Sequence, residues 1–225
     1  MNYEIEIKCL LGSRVNAEKL VKAMGLKDPK LAKVGTQKQL NHYFEGGNLA
    51  DLYQNVRGLI TDKNNRSQFE SLIDRAKNFS LRTRSSGGQP LLVLKVSIDD
   101  TSSDNGTARL ELELAFDTLG LEELDQLVLK SGFVYQAKWS REKTDYNYLG
   151  ANVTISFSPG YGYVAEFEKI ITDPKKADQT KTELRQLMSE LEIEELAQDR
   201  LARMFAYYNA NWQDYYSTDK VFEIL

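Results

Sequence analysis

The chain has 225 residues, of which 41% are hydrophobic and 28% are charged, and its formal net charge is −4 at pH 7. This size allows one large domain with a packed core, or at most two small ones, and a net negative charge gives no bulk attraction for nucleic acid. The single cysteine, Cys9, cannot form an internal disulfide, and the single histidine, His42, argues against a histidine-based triad or a multi-histidine metal site. A catalytic site would therefore have to use carboxylates, lysines and arginines.

The ends and the apolar runs of the chain bear on its location. The first residues include acids and no apolar run, so we expect no signal peptide. No apolar stretch approaches the ~20 residues of a membrane span. A lone cysteine is typical of a reducing compartment. We expect a cytoplasmic protein, monomeric or homodimeric, with no nucleic-acid partner and no membrane partner.

The N-terminal half alternates predicted strands with predicted helices. Strict alternation of polar and apolar residues over 3–9 predicts the first strand, with Cys9 on its apolar face. Asn16 is expected to cap a short helix that ends at Gly25. The later elements of this half are expected in the order strand 39–44, helices 49–59 and 67–77 within a helical insertion at about 49–79, and a hairpin of strands 79–84 and 91–97.

The C-terminal half adds four strands and ends in helices. The expected elements are strand 108–116, helix 121–128, strands 134–148, 153–157 and 163–171, and helices at 177–190 and 193–209 within a C-terminal helical segment at about 175–225. We see no change of composition that marks a domain boundary, so residues 1–225 are expected to form one domain. About eight strands with few helices indicate an α+β fold built on an antiparallel β-barrel or on two packed sheets.

Charged residues recur at every second position on the polar faces of six predicted strands. The acidic members are Glu4, Glu6, Glu111, Glu113, Glu166 and Glu168. The basic members are Lys8, Arg82, Arg84, Lys95, Arg109, Arg141 and Lys143. Side chains two residues apart point the same way, ~6.5–7 Å apart along the strand, and carboxylates this close repel unless a cation lies beside them.

This combination of residues favours phosphate chemistry. Carboxylates without histidine or cysteine suit Mg²⁺, Mn²⁺ or Ca²⁺ better than zinc, and a group of arginines and lysines suits a polyanion. The alternative is that these faces are simply exposed to solvent, where Glu–Arg pairs across strands are common and contribute little. Recurrence over six strands favours a shared site.

The same residues, in the same order, resemble the CYTH superfamily of triphosphate tunnel metalloenzymes. Glu4-Ile5-Glu6-Ile7-Lys8 is similar to its N-terminal ExExK signature, and Asn41-His42-Tyr43-Phe44 is similar to a segment of its second strand. The later matching motifs are Leu81-Arg82-Thr83-Arg84, Val93-Leu94-Lys95, Glu111-Leu112-Glu113, Arg141, and the run from Gly160 to Glu168. The resemblance covers roughly residues 1–210, and the ordered set is more specific than any one motif.

The resemblance implies an eight-stranded antiparallel tunnel, open or nearly open at both ends, that binds Mg²⁺ or Mn²⁺ and a triphosphate. It implies that the six glutamates belong to the metal site, although not all need touch the metal, and that Glu4, Glu6 and Glu168 are catalytic. It implies that Lys8, Arg82, Arg84, Lys95 and Arg141 hold phosphates. Arg109 and Lys143 share the strand faces of this group and are weaker assignments.

Two alternatives to hydrolysis of a triphosphate remain open. The implied substrates are inorganic tripolyphosphate, thiamine triphosphate or a nucleoside triphosphate. The same tunnel also serves class IV adenylate cyclases, and a non-catalytic polyphosphate-binding module is the other alternative. That module is favoured by Ser156, which stands where many members of the superfamily carry an aspartate. The helical insertion at about 49–79 is longer than the usual link and is expected to be a lid or a partner surface.

Overall fold

Eight strands form one closed antiparallel barrel in the computed structural model, which describes residues 3–73, 78–97 and 109–222. The strands are β1 Tyr3–Gly12, β2 Ala32–Gly46, β3 Phe79–Ser86, β4 Gln89–Ser97, β5 Arg109–Ala115, β6 Phe133–Tyr148, β7 Ala151–Ser158 and β8 Gly162–Ile171. Around the barrel they follow the order β1-β5-β4-β3-β2-β6-β7-β8. The α+β fold with an eight-stranded antiparallel barrel is therefore confirmed.

Six helices flank the barrel within the described ranges. They are α1 Arg14–Lys27, α2 Leu49–Val56, α3 Lys63–Ile73, α4 Leu121–Lys130, α5 Ala177–Glu190 and α6 Gln198–Tyr215. A single 3₁₀ turn at Pro174–Lys176 precedes α5. In the part of the chain that the structure describes, no helix has the length and apolar character needed to cross a bilayer.

The predicted start and end of α1 are wrong. Ser13 is the N-cap, and its side chain accepts a hydrogen bond from the backbone N–H of Asn16 at 3.3 Å. Asn16 lies in the first turn, where its side chain donates to the carbonyl of Leu11 at 2.8 Å. Both residue types cap helices well, but Ser13 has the extended backbone that a cap requires. At the other end the helix continues past Gly25 to Lys27.

Strand β2 is much longer than the predicted strand 39–44. Its first seven residues, 32–38, pair with β6 alone, whereas β3 joins the sheet only from Gln39 onward. These seven residues are almost all exposed, so they carry no alternation of buried and exposed positions. Hydrogen bonding to β6, and not a hydrophobic pattern, holds this segment in a strand.

The apolar faces of the strands point outward and are covered by helices. On one side α1 and α5 pack on Ile5, Ile7 and Phe167. On the other side the helices of the 49–79 region, with Phe69 and Leu72, pack on barrel residues together with α4. Cys9 is buried in the outer layer, as its place beside Ile5 and Ile7 predicts. Because successive side chains alternate between faces, the charged faces line the interior of the barrel.

Helix α6 packs over one end of this interior. Leu10 and Val164 lie opposite one another, two residues beyond Lys8 and Glu166 on the same strand faces. Both belong to a cluster with Met204 of α6, and Trp139 of β6 stacks on Tyr208 of α6 with ring centroids 3.6 Å apart. The resemblance implies a tunnel open or nearly open at both ends, whereas here helical side chains cover the lumen-facing residues of three strands at one end.

Candidate metal and phosphate site

The pairing of the strands places the charged positions side by side. Glu6 lies opposite Glu168, and Lys8 lies opposite Glu166, where β1 pairs with β8. Lys95 lies opposite Glu111 where β4 pairs with β5. Directly opposed residues on neighbouring strands share a face, so acids and bases that are far apart in the sequence meet inside the barrel.

Three glutamates form the acidic centre of the site. One carboxylate oxygen from each of Glu4, Glu6 and Glu168 lies within 4.8 Å of the other two. Burial, followed by repulsion from Glu4 and Glu6, raises the pKa of Glu168 to about 7. A divalent cation among the three would relieve this repulsion, and three carboxylates are ligands that suit Mg²⁺ or Mn²⁺. The donor set therefore fits the implied metal.

The other three predicted metal ligands have basic partners. Glu166 accepts a hydrogen bond from Lys8 at 2.5 Å and one from Arg141 at 3.2 Å. Burial opposes the ionisation of Glu166, but these two bases outweigh it and hold the pKa of the carboxyl well below its usual range. Glu111 lies 3.2 Å from Lys95, and Glu113 lies 2.7 Å from Arg84. The predicted set of six is thus divided into three glutamates that cluster, two of which also contact a lysine, and three that pair with bases without joining the cluster.

Three arginines converge around one tyrosine. Arg82 donates to the hydroxyl of Tyr43 at 2.5 Å, and its Nε has no hydrogen-bond partner among the described residues. Burial raises the pKa of Tyr43, but attraction from Arg82, Arg141 and Arg84 outweighs it and leaves that pKa below its ordinary value. Burial, followed by repulsion from Arg82 and Arg141, lowers the pKa of Arg84 to about 10. Like charges crowded in this way would be stabilised by a bound polyanion.

Two of the three predicted lysines, Lys8 and Lys95, each lie between two glutamates. Lys95 lies 2.5 Å from Glu4 and 3.2 Å from Glu111. Burial lowers the pKa of Lys95, but attraction from Glu4, Glu111 and Glu6 together outweighs it and leaves the pKa above its ordinary value. Lys8 contacts both Glu6 and Glu166. Each lysine is therefore positioned between the acidic centre and the place where phosphates would bind.

Lys143 and Arg109 differ from the rest of the predicted set. Lys143 pairs with Asp145 at 2.9 Å, and Asp145 also accepts a hydrogen bond from Thr154 at 2.5 Å. Arg109 has its backbone opposite Glu4 in the barrel, but its side chain lies outside the described part of the structure. Ser156 is buried opposite Lys143, so β7 supplies no carboxylate at that position and the nearby acid, Asp145, belongs to β6.

Several residues of the site were missed because they are neutral. Gln39, Asn41 and Tyr43 occupy alternate positions of β2. Arg141 donates to the side chain of Gln39 at 2.8 Å, and Arg84 donates to the side chain of Asn41 at 3.0 Å. Their spacing at every second residue could have indicated that they face the site. It was missed because only charged residues were considered at this spacing.

His42 lies on the outer face of β2, away from the acidic centre. Its Nδ1 is 2.7 Å from Asp125 of α4, and its Nε2 is 2.9 Å from the hydroxyl of Tyr216. The same carboxylate accepts hydrogen bonds from Thr83 at 2.5 Å and from Tyr135 at 2.7 Å. Both ring nitrogens of His42 thus have partners in a buried network, which is the character of a structural histidine.

Comparisons with known proteins identify the fold. No family model and no curated protein matches the sequence. A protein from Pyrococcus horikoshii OT3 matches with a TM-score of 0.58 and 18% identity over 85% of this chain and 91% of that chain. A proposed adenylate cyclase from Vibrio parahaemolyticus matches with a TM-score of 0.59 and 12% identity over 91% and 98% of the two chains. A chain from the Schizosaccharomyces pombe Mediator head module matches with a TM-score of 0.53 and 12% identity over 84% and 95%.

At these identities the matches show a shared fold and nothing more. The shared barrel is consistent with a CYTH-like tunnel, and the matching proteins carry different descriptions. One fold can carry unrelated functions, so the function has to be argued from the side chains inside this barrel.

Proposed function

We propose that this protein hydrolyses a triphosphate inside its barrel in a reaction that needs a divalent metal ion. The observation that carries the proposal is the crowding of like charges in two neighbouring groups on the inner strand faces of the barrel. Glu4 and Glu6 each have a lysine partner, yet their repulsion still adds to burial in raising the pKa of Glu168. Likewise, repulsion from Arg82 and Arg141 adds to burial in lowering the pKa of Arg84, although Glu113 lies beside it. A metal ion with a bound polyphosphate would relieve both repulsions.

The metal would be Mg²⁺ or Mn²⁺ held by Glu4, Glu6 and Glu168. When bound there, it would neutralise charge on the phosphate oxygens and make the phosphorus more electrophilic. Glu111, Glu113 and Glu166 would instead position the bases with which they pair. This division follows from the distances within the two groups of glutamates.

The basic residues would hold the triphosphate. Arg82, Arg84 and Arg141 offer paired N–H groups that match two phosphate oxygens each, and Lys8 and Lys95 add point charges beside the acidic centre. These residues would also stabilise the negative charge that develops on the bridging oxygen as the bond to the terminal phosphorus breaks. Lys143 and Arg109 are proposed as outer members of the same group.

Glu168 is the proposed proton acceptor. A water oxygen attacks the terminal phosphorus, its proton passes to the Glu168 carboxylate, and the remaining diphosphate portion leaves with the electrons of the broken P–O bond. Burial and repulsion from Glu4 and Glu6 raise the pKa of this carboxyl to about 7 without metal, and a metal ion among the three would lower it again. Glu168 would then be an ionised carboxylate at neutral pH, the form that accepts a proton. Glu4 and Glu6 contribute through the metal and through this shift.

The test is phosphate release from inorganic tripolyphosphate, thiamine triphosphate and ATP, with Mg²⁺, with Mn²⁺ and with chelator. We expect metal-dependent release from at least one of them, and at least a ~100-fold loss in a folded Glu168→Gln variant. Release that persists in chelator, or wild-type rates in that variant at saturating metal, would contradict the proposal.

A second candidate is an adenylate cyclase that uses the same residues. The observation favouring it is the match to the proposed adenylate cyclase from Vibrio parahaemolyticus. Formation of cyclic AMP from ATP, without release of inorganic phosphate, would support it over hydrolysis. Ser156, which leaves β7 without a carboxylate opposite Lys143, favours a third reading as a triphosphate-binding module without catalysis. Tight tripolyphosphate binding with neither product would support that reading.

A further inference from the structure

The first part of β2 has a neighbouring strand on one side only. Residues 32–38 pair with β6, whereas β3 pairs with β2 only from Gln39, which lies opposite Ser86. The end of β3 reaches as far as Gln37, whose side chain accepts a hydrogen bond from the hydroxyl of Ser86. Residues 32–36, which we call the open edge, are all exposed within the described structure. Backbone N–H and C=O groups of the open edge that point away from β6 can therefore pair with another strand.

A β-bulge at Val34 sets which side chains of the open edge share a face. The pairing with β6 shifts in register there, so Lys33 and Thr36 lie opposite residues 146 and 144, which are alternate positions of β6. Alternate positions of a strand point to the same face, so Lys33 and Thr36 both belong to the outer face of the sheet. Thr36 is fixed on that face by a contact of 3.0 Å between its hydroxyl and that of Thr144.

The surroundings of the open edge are basic, although the whole chain has a formal net charge of −4. Lys27 at the end of α1, Lys30 in the turn that follows and Lys33 are all exposed. None of the three forms an ion pair with a described residue. The acid among them, Asp28, is buried, and its carboxylate accepts hydrogen bonds from the backbone N–H groups of Lys30 at 2.8 Å and Leu149 at 3.1 Å. The positive charge of the three lysines is thus available to an acidic partner.

Exposed apolar side chains accompany these lysines. Leu26 at the end of α1 is 77% exposed, Val34 is 70% exposed, and Leu149 is 47% exposed. Leu149 belongs to the turn between β6 and β7, and its hydrogen bond to Asp28 holds it beside the turn between α1 and β2. Single exposed apolar residues are ordinary on a protein surface, but a group of them next to an unpaired strand is typical of an interaction surface.

The lysines determine which kind of strand fits the open edge. Two copies of this short segment, paired antiparallel, would bring their Lys33 side chains opposite or diagonally across from one another on the outer face. Like charges at such positions are destabilising, and lysines on exposed strands protect proteins against pairing with themselves. An acidic strand would meet attraction at the same positions. The charge of the open edge therefore disfavours a second copy and favours an acidic partner.

We propose that the open edge binds an acidic, extended segment of a partner protein as an added strand. The backbone of residues 32–36 would supply the hydrogen bonds, Lys33 with Lys27 and Lys30 would attract acidic side chains, and Val34 would contact apolar ones. The inference goes beyond the proposed reaction and does not depend on it, because Lys33 lies on the outer face of the sheet and the neutral residues that contact the arginines begin at Gln39.

The first test measures binding of a fluorescent peptide, Thr-Glu-Val-Glu-Val-Glu-Thr, to the full chain by anisotropy at low salt. One control peptide carries lysine at each glutamate position. The other carries proline at each valine position, which keeps the charge but removes backbone donors and disfavours a strand. We expect binding of the acidic valine peptide alone, because the site requires both the charge and the backbone. Equal binding of the proline peptide would show attraction by charge only and would overturn the proposal.

A charge reversal at the open edge tests where the peptide binds. Lys33→Glu should weaken binding of the acidic peptide ~10-fold, because repulsion replaces attraction. The matched control is Lys175→Glu, the same change at an exposed lysine of the 3₁₀ turn before α5, and it should leave binding unchanged. Equal effects of the two variants would mean that the peptide responds to overall charge, which would overturn the assigned surface.

Hydrogen exchange of the wild type with and without the acidic peptide tests the added strand directly. We expect slower exchange in residues 32–36, where the peptide would take up backbone groups now exposed to solvent. Binding without this protection would overturn the proposal. Sedimentation without peptide that shows a dimer, with the same residues protected, would assign the open edge to a second copy instead. Binding to phosphatidylserine vesicles without binding to the peptide would assign it to a membrane. Neither result would affect the proposed function, which phosphate release tests separately.

Discussion

Glu168 has the site's largest upward pKa shift among the carboxyls whose direction is resolved, and this shift links stability to pH. Between the ordinary pKa of a glutamate, ~4.3, and about 7, the folded protein keeps a proton on Glu168 that the unfolded chain has lost. The contribution of Glu168 to the free energy of unfolding therefore falls as pH rises through this window and is constant above it. Glu168→Gln removes this dependence.

Urea unfolding of metal-free protein at pH about 5 and about 8 measures this contribution. We expect Glu168→Gln to gain stability relative to the wild type as pH rises, because the wild type acquires a third negative charge beside Glu4 and Glu6. A matched control is Glu183→Gln, an exposed glutamate of α5 that pairs with Lys169. An identical pH response in wild type and Glu168→Gln would show that the repulsion is absent.

The same three glutamates predict how metal affects stability. At pH about 8, Mn²⁺ should stabilise the wild type by ~2.7 kcal/mol at a concentration of a hundred times its Kd, since it binds the folded chain only. Below pH about 7 the ion must displace the proton of Glu168, so its affinity should fall. Thermal unfolding with Mn²⁺ and with chelator measures both effects. If Mn²⁺ stabilised Glu168→Gln and the wild type equally, the metal would bind at a site that does not include Glu168.

At the scale of elements, Asp125 joins α4 to the three strands β2, β3 and β6 and, through His42, to Tyr216 at the end of α6. Burial raises the pKa of Asp125, but hydrogen bonds from His42, Thr83 and Tyr135 outweigh it, so the folded pKa is below the ordinary value. This contribution to stability is present above the unfolded pKa, ~3.9, and is lost as pH falls through the folded pKa. The network thus stabilises the barrel at neutral pH.

Asp125→Ala should lower the free energy of unfolding by ~3 kcal/mol, because it leaves buried donors without an acceptor. The control Asp178→Ala removes an exposed carboxylate of α5 and should cost less than ~1 kcal/mol. Denaturant unfolding at neutral pH distinguishes them. Equal small losses would mean that the network contributes little, and loss of tripolyphosphate binding in folded Asp125→Ala would mean that it also shapes the site.

The helices of the 49–79 region pack as an outer layer of the barrel, which bears on the expectation of a lid or a partner surface. Phe69 of α3 is fully buried, and Phe69→Ala should cost ~3–5 kcal/mol in the free energy of unfolding. Leu59 is 36% exposed, and Leu59→Ala should cost much less. Both variants, when folded, should bind tripolyphosphate normally by calorimetry. A selective loss of binding in Phe69→Ala would instead support a lid.

At the scale of the whole molecule, the inner faces of the barrel could be predicted from period-two charges, because alternation is the one pattern that a strand imposes on its sequence. Glu6 and Glu168 share a face for this reason. The first half of β2 could not be predicted, because both of its faces are exposed. Tyr161 and Asp125 gain their surroundings only when α6 and α4 dock, and such contacts between distant segments leave no local pattern.

The barrel also differs from an ordinary small barrel in what it buries. Apart from the cluster beneath α6, its apolar strand residues are outside, beneath helices, and its interior holds ion pairs such as Lys95 with Glu4 and Arg84 with Glu113. Interior charges of this kind are costly unless paired, and the two crowded groups described above are incompletely paired. The fold therefore maintains a charged interior, and a metal–triphosphate complex would neutralise its incompletely paired charges.

The most direct test of this account is anomalous diffraction from crystals of the Glu168→Ala variant and the wild type, each soaked with Mn²⁺ and tripolyphosphate. We expect a manganese peak among the carboxylates of Glu4, Glu6 and Glu168 in the wild type, with the phosphate chain beside Arg82 and Arg141. The peak should be weak or absent in the variant. Manganese bound only outside the barrel, or a phosphate chain that avoids the arginines, would contradict it.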